Sequence, residues 1–255
     1  GHIRLTNKTP CGTYRAPGRY ESTFVRERLM DAIAAQCGID RITVRRRNLL
    51  PQSAMPYDVQ LDTLGTYIVY DSGDYALLLD KALRLAGWDE LQAGIKARRA
   101  KGEKVGAGVA MFVEKSGLGP FDTVRIEIKQ DGVEVVTGNA SVGQGIETVV
   151  AQICAETLGA RYDTIDVVHG QTDRIARGMG AFASRVTVMC GEATRLAAVK
   201  LRDAALKAAA ELMQTSADKL DIADGNVVAI DGGASMPLTA LGRLTAEDTF
   251  ESSHI

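Results

Sequence analysis

The chain has 255 residues, 45% of them hydrophobic and 24% charged, with a formal net charge of −2. That composition excludes a disordered or fibrous chain, and the absence of a basic excess excludes an electrostatic footprint for nucleic acid or an anionic membrane. No apolar run reaches the length of a membrane span and the N-terminus lacks a secretory pattern, so a cytoplasmic protein is expected. Gly1-His2 reads as a cloning scar. The four cysteines, Cys11, Cys37, Cys154 and Cys190, stand far apart without C-x-x-C spacing, which points away from a zinc ribbon or a disulfide framework.

Taken in chain order, the apolar residues of 22–36 recur at helical period and Gly38 stands where a C-terminal cap belongs. A short helix over 41–50 closes at Pro51, with its 45-RRR-47 run read as a solvated face. Residues 51–57 read as loop. Helices over 74–86 and 89–101 follow, and Gly102 marks a boundary, giving regions 1–102 and 103–255. Beyond it the spacing predicts strands at 105–114, 124–129 and 133–137, the last two joined by an Asp-Gly turn. A helix over 146–158, a strand over 164–168 and a long helix over 187–213 alternate next, and 221–230 reads as a hairpin turning at Asp224-Gly225-Asn226. The expected class is α+β, with mixed sheets and helices packed on them in two layers.

Three loops carry the functional signal. In SVGQG, 141–145, glycines at 143 and 145 permit close approach to the backbone ahead of a helix whose first N–H groups are unsatisfied. The Gln144 carboxamide offers a donor and an acceptor there. Equally, the glycines make a tight turn and Gln144 faces solvent. In GMGAFASR, 178–185, small residues bracket Phe182 before a long helix, and Ser184 with its neighbouring amides suits phosphate or pterin oxygens. The third glycine of a dinucleotide fingerprint is missing, so this is no Rossmann site, and an ordinary capped helix start is the competing reading. In GTYRAPGRYE, 12–21, Arg15 and Arg19 sit among Gly and Pro, where a guanidinium fork suits carboxylate, phosphate or carbonyl oxygens. Two solvated arginines are the plainer alternative, and Glu21 suits the acidic end of its helix.

Together, residues 14–50, 143–160 and 166–198 resemble, in order and spacing, the molybdenum-binding large subunit of the xanthine dehydrogenase and aldehyde oxidase family. The resemblance implies a molybdenum cofactor-binding fold, with 1–102 the end of a first molybdopterin-binding subdomain and 103–255 the start of a second. It implies a molybdenum hydroxylase that oxidises an aldehyde or N-heterocycle carbon with water as oxygen source. By position, Arg15 matches the arginine near metal and substrate, and Ala16 and Pro17 match substrate-lining residues. Val142, Gly143 and Gln144, then Phe182, Ala183, Ser184 and Val186, match cofactor contacts. No protein side chain here would ligate the metal. The cofactor is molybdenum-molybdopterin, with the cytosine dinucleotide form left open, and 2Fe-2S and FAD belong to other domains or subunits.

Departures from the pattern carry information. Members that oxidise carbon monoxide have cysteine after the motif arginine, where this chain has Ala16. Gln171 replaces a common aspartate and Ala176 a common proline, which leaves the loop before Gly178 less rigidly specified. The family's catalytic glutamate, in a Gly-x-Gly-Glu motif, has no counterpart: Glu147 and Glu192 read as early-helix acids. The chain therefore reads as the middle of a longer subunit, inactive alone, exposing apolar surface through which it forms a homodimer. The alternative is a stand-alone pterin- or nucleotide-binding or subunit-docking module without catalysis.

Overall fold

The first apolar-periodic segment forms α1, Arg19–Cys37, ended by Gly38 in the left-handed region as its position predicts. The structure, a computed structural model, describes residues 4–9, 12–63 and 66–251; Gly1, His2 and Cys11 lie outside the described residues. It divides into two compact units, one of residues 1–60 and 68–114, the other of 61–67 and 115–255.

In the first unit α1 packs with α2, Arg41–Asn48, whose Asp40 cap accepts the Ile42 and Thr43 N–H groups at 2.9 and 2.8 Å. The arginine run of α2 is a solvated face only at Arg46 and Arg47. Arg45 is 4% exposed and its guanidinium bonds Glu27 and Asp31, each at 2.9 Å, as well as the Glu27 carbonyl. Arg46 pairs with Asp80, and both Arg46 and Arg47 are exposed. Helices α3, Tyr75–Leu85, and α4, Trp88–Ala100, follow a two-stranded sheet of β1, Tyr57–Thr63, and β2, Thr66–Tyr70. The expected strand at 105–114 is extended chain instead. Its carbonyls at Val105, Ala107 and Met111 accept from Arg99, Arg41 and Arg26. Guanidinium forks thus satisfy there what a neighbouring strand satisfies in a ladder.

The second unit is built on a four-stranded sheet of β3, Phe121–Lys129, β4, Gly132–Thr137, β5, Ile165–Val168, and β9, Leu244–Glu251, in the order β5-β4-β3-β9. The β4–β5 pair is parallel, with α5, Ile146–Leu158, as its crossover; the other pairs are antiparallel. Alternation puts Val124, Ile126 and Ile128 opposite Val133 and Val135 in one apolar layer. Onto it pack α5, through Ile146, Val150, Cys154 and Leu158 at four-residue spacing, and α6, Gly191–Leu212. Alanines 193, 197, 205 and 209 face inward from α6, so the Ala-rich stretch is a close-packing surface. Each fully buried leucine, such as Leu158 or Leu201, contributes about 1.5–3 kcal/mol. A smaller sheet, β6, Leu220–Ala223, β7, Asn226–Ala229, and β8, Ser235–Pro237, adds Leu220, Ile222 and Val227 to the same core, with the expected hairpin turn at Asp224-Gly225. The architecture is two-layer α+β.

Candidate functional site

The loop before α5 sets out from Gly138 and Asn139 at the end of β4. Gly143 and Gly145 adopt φ of 92° and 78°, and a Cβ at either would meet nothing within 4 Å, so backbone conformation alone requires glycine there. The Gln144 amide is engaged by its own loop: Oε1 accepts the Val142 N–H at 2.6 Å and Nε2 donates to the Ala140 carbonyl at 3.3 Å. Its side chain therefore shapes the exposed Val142–Gln144 crest, in which the Val142 N–H is taken by Gln144 Oε1 and the Gly143 N–H by Ser141 Oγ at 3.4 Å. Glu147, in the first turn of α5, is held below the usual carboxylate range by its own backbone N–H, by His169 and by the Ser141 hydroxyl.

The second loop ends in a π-helical turn, Val186–Cys190, that leads into α6. Ala183 and Ser184 take φ of 48° and 53° without being glycine. Such residues persist only where the surroundings over-determine them, and they concentrate at functional sites. Ser184 is left-handed before helical Arg185, as Gly145 is before Ile146, so each loop enters its helix through a left-handed residue, and the first N–H groups of a helix lack intrahelical partners. Ser184 is exposed, Phe182 is 42% exposed, and Val186 is half-buried.

Both loops hang on one buried polar framework that the sequence reading did not single out. Arg185 has no exposed surface; it donates to Asp122 at 2.8 Å, to the Leu118 and Gly180 carbonyls at 2.9 and 3.1 Å, and to the Phe121 carbonyl. Asp122 accepts in addition from the Asn139 amide at the root of the first loop, and Asn139 N–H donates to Thr137 Oγ1 at 2.9 Å. Burial pushes the Asp122 carboxyl up, against the opposing pull of Arg185 and of the Asn139 and Thr123 hydrogen bonds. The loops also meet through glycine: a Cβ on Gly138 would stand 2.5 Å from Gly178 Cα, and one on Gly178 would stand 2.2 Å from the Gly138 carbonyl. Gly178 therefore serves contact between the loops. Ser184 is tied in by its carbonyl, which accepts Gly117 N–H at 3.2 Å.

The stretch between β5 and Gly178 is firmly placed despite Gln171 and Ala176. Arg174 pairs with Glu134, Ile175 is buried, and the Arg177 guanidinium lies 4.1 Å from the Phe121 ring centroid. Side-chain anchors supply the rigidity that proline would. Cys154 and Cys190 are buried, and burial pushes both thiols up to about 12, which removes them as nucleophiles.

Arg15, Ala16 and Pro17 belong to the first unit, ahead of α1. Arg15 is exposed, and Ala16 adopts φ 52° with its carbonyl accepting Arg19 N–H at 3.0 Å. Arg19 is not free, being paired with Glu114. Left-handed non-glycine residues thus mark two of the three sequence-predicted loops. Among the described residues no three His, Cys, Asp or Glu side chains gather as a metal cage, and no helix is long and apolar enough to cross a membrane.

The chain matches the Molybdopterin cofactor-binding domain family over residues 81–253 and again over 1–49. It is 44% identical over 226 residues to the 6-hydroxypseudooxynicotine dehydrogenase complex subunit gamma of Paenarthrobacter nicotinovorans, covering 88% of this chain and 28% of that protein. It is 33% identical over 233 residues to the carbon monoxide dehydrogenase large chain of Hydrogenophaga pseudoflava, covering 85% and 28%. Among solved structures, quinoline 2-oxidoreductase from Pseudomonas putida 86 superposes with a TM-score of 0.80 at 27% identity, over 96% of this chain and 34% of that one. The chain spans less than a third of the length of these curated relatives.

Proposed function

The chain belongs to the molybdopterin cofactor-binding family of xanthine dehydrogenase-type molybdenum subunits, and from that premise we propose that it contributes the pterin-holding loops of a molybdenum hydroxylase. The observation that carries the reading is that the two family-matched loops of the second unit share the Asp122–Asn139–Arg185 framework and each enter a helix, whose first N–H groups lack intrahelical partners, through a left-handed residue. That donor set fits an anionic, oxygen-rich ligand. Val142, Gly143 and Gln144 on one side and Phe182, Ala183, Ser184 and Val186 on the other would hold the cofactor. Arg15, with Ala16 and Pro17, would border the substrate, its guanidinium offering a fork to a carbonyl or ring-nitrogen acceptor. When bound, the molybdenum-molybdopterin group supplies hydroxylation chemistry with water as oxygen source, and electrons leave to iron–sulfur and flavin partners.

An N-heterocycle is favoured over an aldehyde by the 44%-identical relative and by the quinoline-oxidising structure. Alanine at position 16 argues against carbon monoxide as substrate. With no Gly-x-Gly-Glu carboxylate in the sequence to act as base, the 255-residue chain alone is inactive. The test uses a subunit of the relatives' length. Its molybdenum and pterin are measured with and without Gly143→Val, which forces a branched side chain into φ 92°. Wild type should carry stoichiometric cofactor and reduce a dye with an N-heterocycle, and the variant should lose at least about tenfold of its cofactor while staying folded. Undiminished content would overturn the assignment.

A further inference from the structure

The bonds from Gln144 to Val142 and Ala140 give the first loop its shape but not its seat. Beyond the root at Asn139, the seat of the crest comes through Ser141. Its N–H reaches His169 Nδ1 at 3.4 Å and its Oγ accepts the Gly143 N–H at 3.4 Å, while the Ser141 hydroxyl helps to hold the Glu147 carboxyl below its usual range. Glu147 in turn meets His169 Nε2 at 2.9 Å. With Nδ1 engaged as acceptor, the proton of a neutral imidazole belongs on Nε2, where it is donated to the carboxylate. The imidazole, just past β5, and the carboxylate, at the start of α5, thus hold one serine between them.

We propose that Glu147 and His169 are positioning residues that seat residues 141–145, a proposal that rests on the reading of Val142–Gln144 as a cofactor loop. A carboxylate that served only the helix dipole would need neither the histidine nor the serine hydroxyl. The side chains are 46% and 26% exposed, so their pairing is screened and contributes little to global stability; its effect is local. Among the described residues Ser141 is the point where both groups act on the loop, and Gly143, two residues on, inherits its placement through Ser141 Oγ.

NMR on the 255-residue chain tests this by two readouts, the 15N shifts of the His169 ring and the backbone order parameters of Val142 and Gly143. Wild type should show the single Nε2–H tautomer and order parameters near about 0.85. In Glu147→Ala the ring should populate both tautomers, and in Glu147→Ala and His169→Ala the loop should fall toward about 0.6, with Tm within about 2 °C of wild type. Glu147→Gln keeps an acceptor oxygen for His169 Nε2 and should restore the tautomer and, through the His169–Ser141 contact, the order of the loop. Unchanged order in both alanine variants overturns the proposal, as does Glu147→Gln behaving like Glu147→Ala. Titration with inorganic pyrophosphate, read at the Gly143 and Ser184 amides, separates the underlying reading. A wild type whose amides ignore pyrophosphate counts against the cofactor loop, while the tautomer and order comparison still decides the positioning.

Discussion

The loops before α5 and α6 present the same kind of backbone and are held in opposite ways. The second is anchored by a guanidinium with no exposed surface that bonds a carboxylate and three carbonyls. The first meets that framework only at its root, Asn139; its crest is closed on itself and seated by an exposed Glu147–His169 pair. Breaking a buried ion pair costs about 3–5 kcal/mol, whereas an exposed pair is worth about 0–1 kcal/mol. One side of the candidate site is therefore fixed by the fold, and the other is adjustable at little cost to it.

The largest expected effect breaks the rigid side. Arg185→Met leaves Asp122 buried with Asn139 as its remaining side-chain partner, and should cost about 3–5 kcal/mol in urea denaturation. The sign with pH follows from the direction of the Asp122 shift. Burial already raises this carboxyl, and removal of the cation raises it further. The folded variant then binds a proton that the unfolded chain releases, and its stability falls as pH rises through the raised value. The deficit should be smaller at pH 5 than at pH 8, and Asp122→Asn added to Arg185→Met should recover part of it. A loss below about 1 kcal/mol would place both loops in the lightly held class.

Glycine replacements sharpen the contrast at the next level. Gly178→Ala drives a Cβ to 2.2 Å from the Gly138 carbonyl, and both chains must shift, at a cost of about 1–3 kcal/mol. Gly143→Ala meets open space and bears only the strain of φ 92°, about 1 kcal/mol. Urea midpoints should rank the two in that order. Equal losses would mean that the Gly138–Gly178 crossing yields easily and does not join the loops.

How much of this was legible in the sequence depends on whether a side chain's partner is local. Helix α5 could be read because Ile146, Val150, Cys154 and Leu158 repeat along one face, and α2 because Pro51 closes it, while its Asp40 cap emerged only with the structure. The strings around Gly143 and Ser184 mark loops shaped by backbone, and both residues do take positive φ. Arg45 and Arg185 could not be placed: a charged residue reads as solvated unless its partners are known, and these lie 18 and 63 positions away, at Glu27 and Asp122. Strand β9 was hidden for a related reason, since Leu244–Glu251 mixes acidic residues and threonines and gains its strand character from pairing with β3. The 105–114 stretch shows the converse: strand-like composition without ladder geometry, satisfied by arginines.

The smallest expected effect bears most directly on function. A non-glycine residue in the left-handed region costs about 1–2 kcal/mol, and glycine in its place returns about 0.5–1 kcal/mol of that as chain entropy. Ser184→Gly, at φ 53°, should therefore stabilise the second unit by up to about 1 kcal/mol, read as a small rise in Tm. The first loop offers no such gain at Gly143 or Gly145, where glycine already occupies the left-handed positions. If the strain at Ser184 is retained because its hydroxyl and amide serve a ligand, the same variant in a subunit of the relatives' length should fold better and hold less cofactor. A variant that gains stability and keeps its cofactor would reduce Ser184 to a helix start, leaving Gly143 and its neighbours as the polar face of the site.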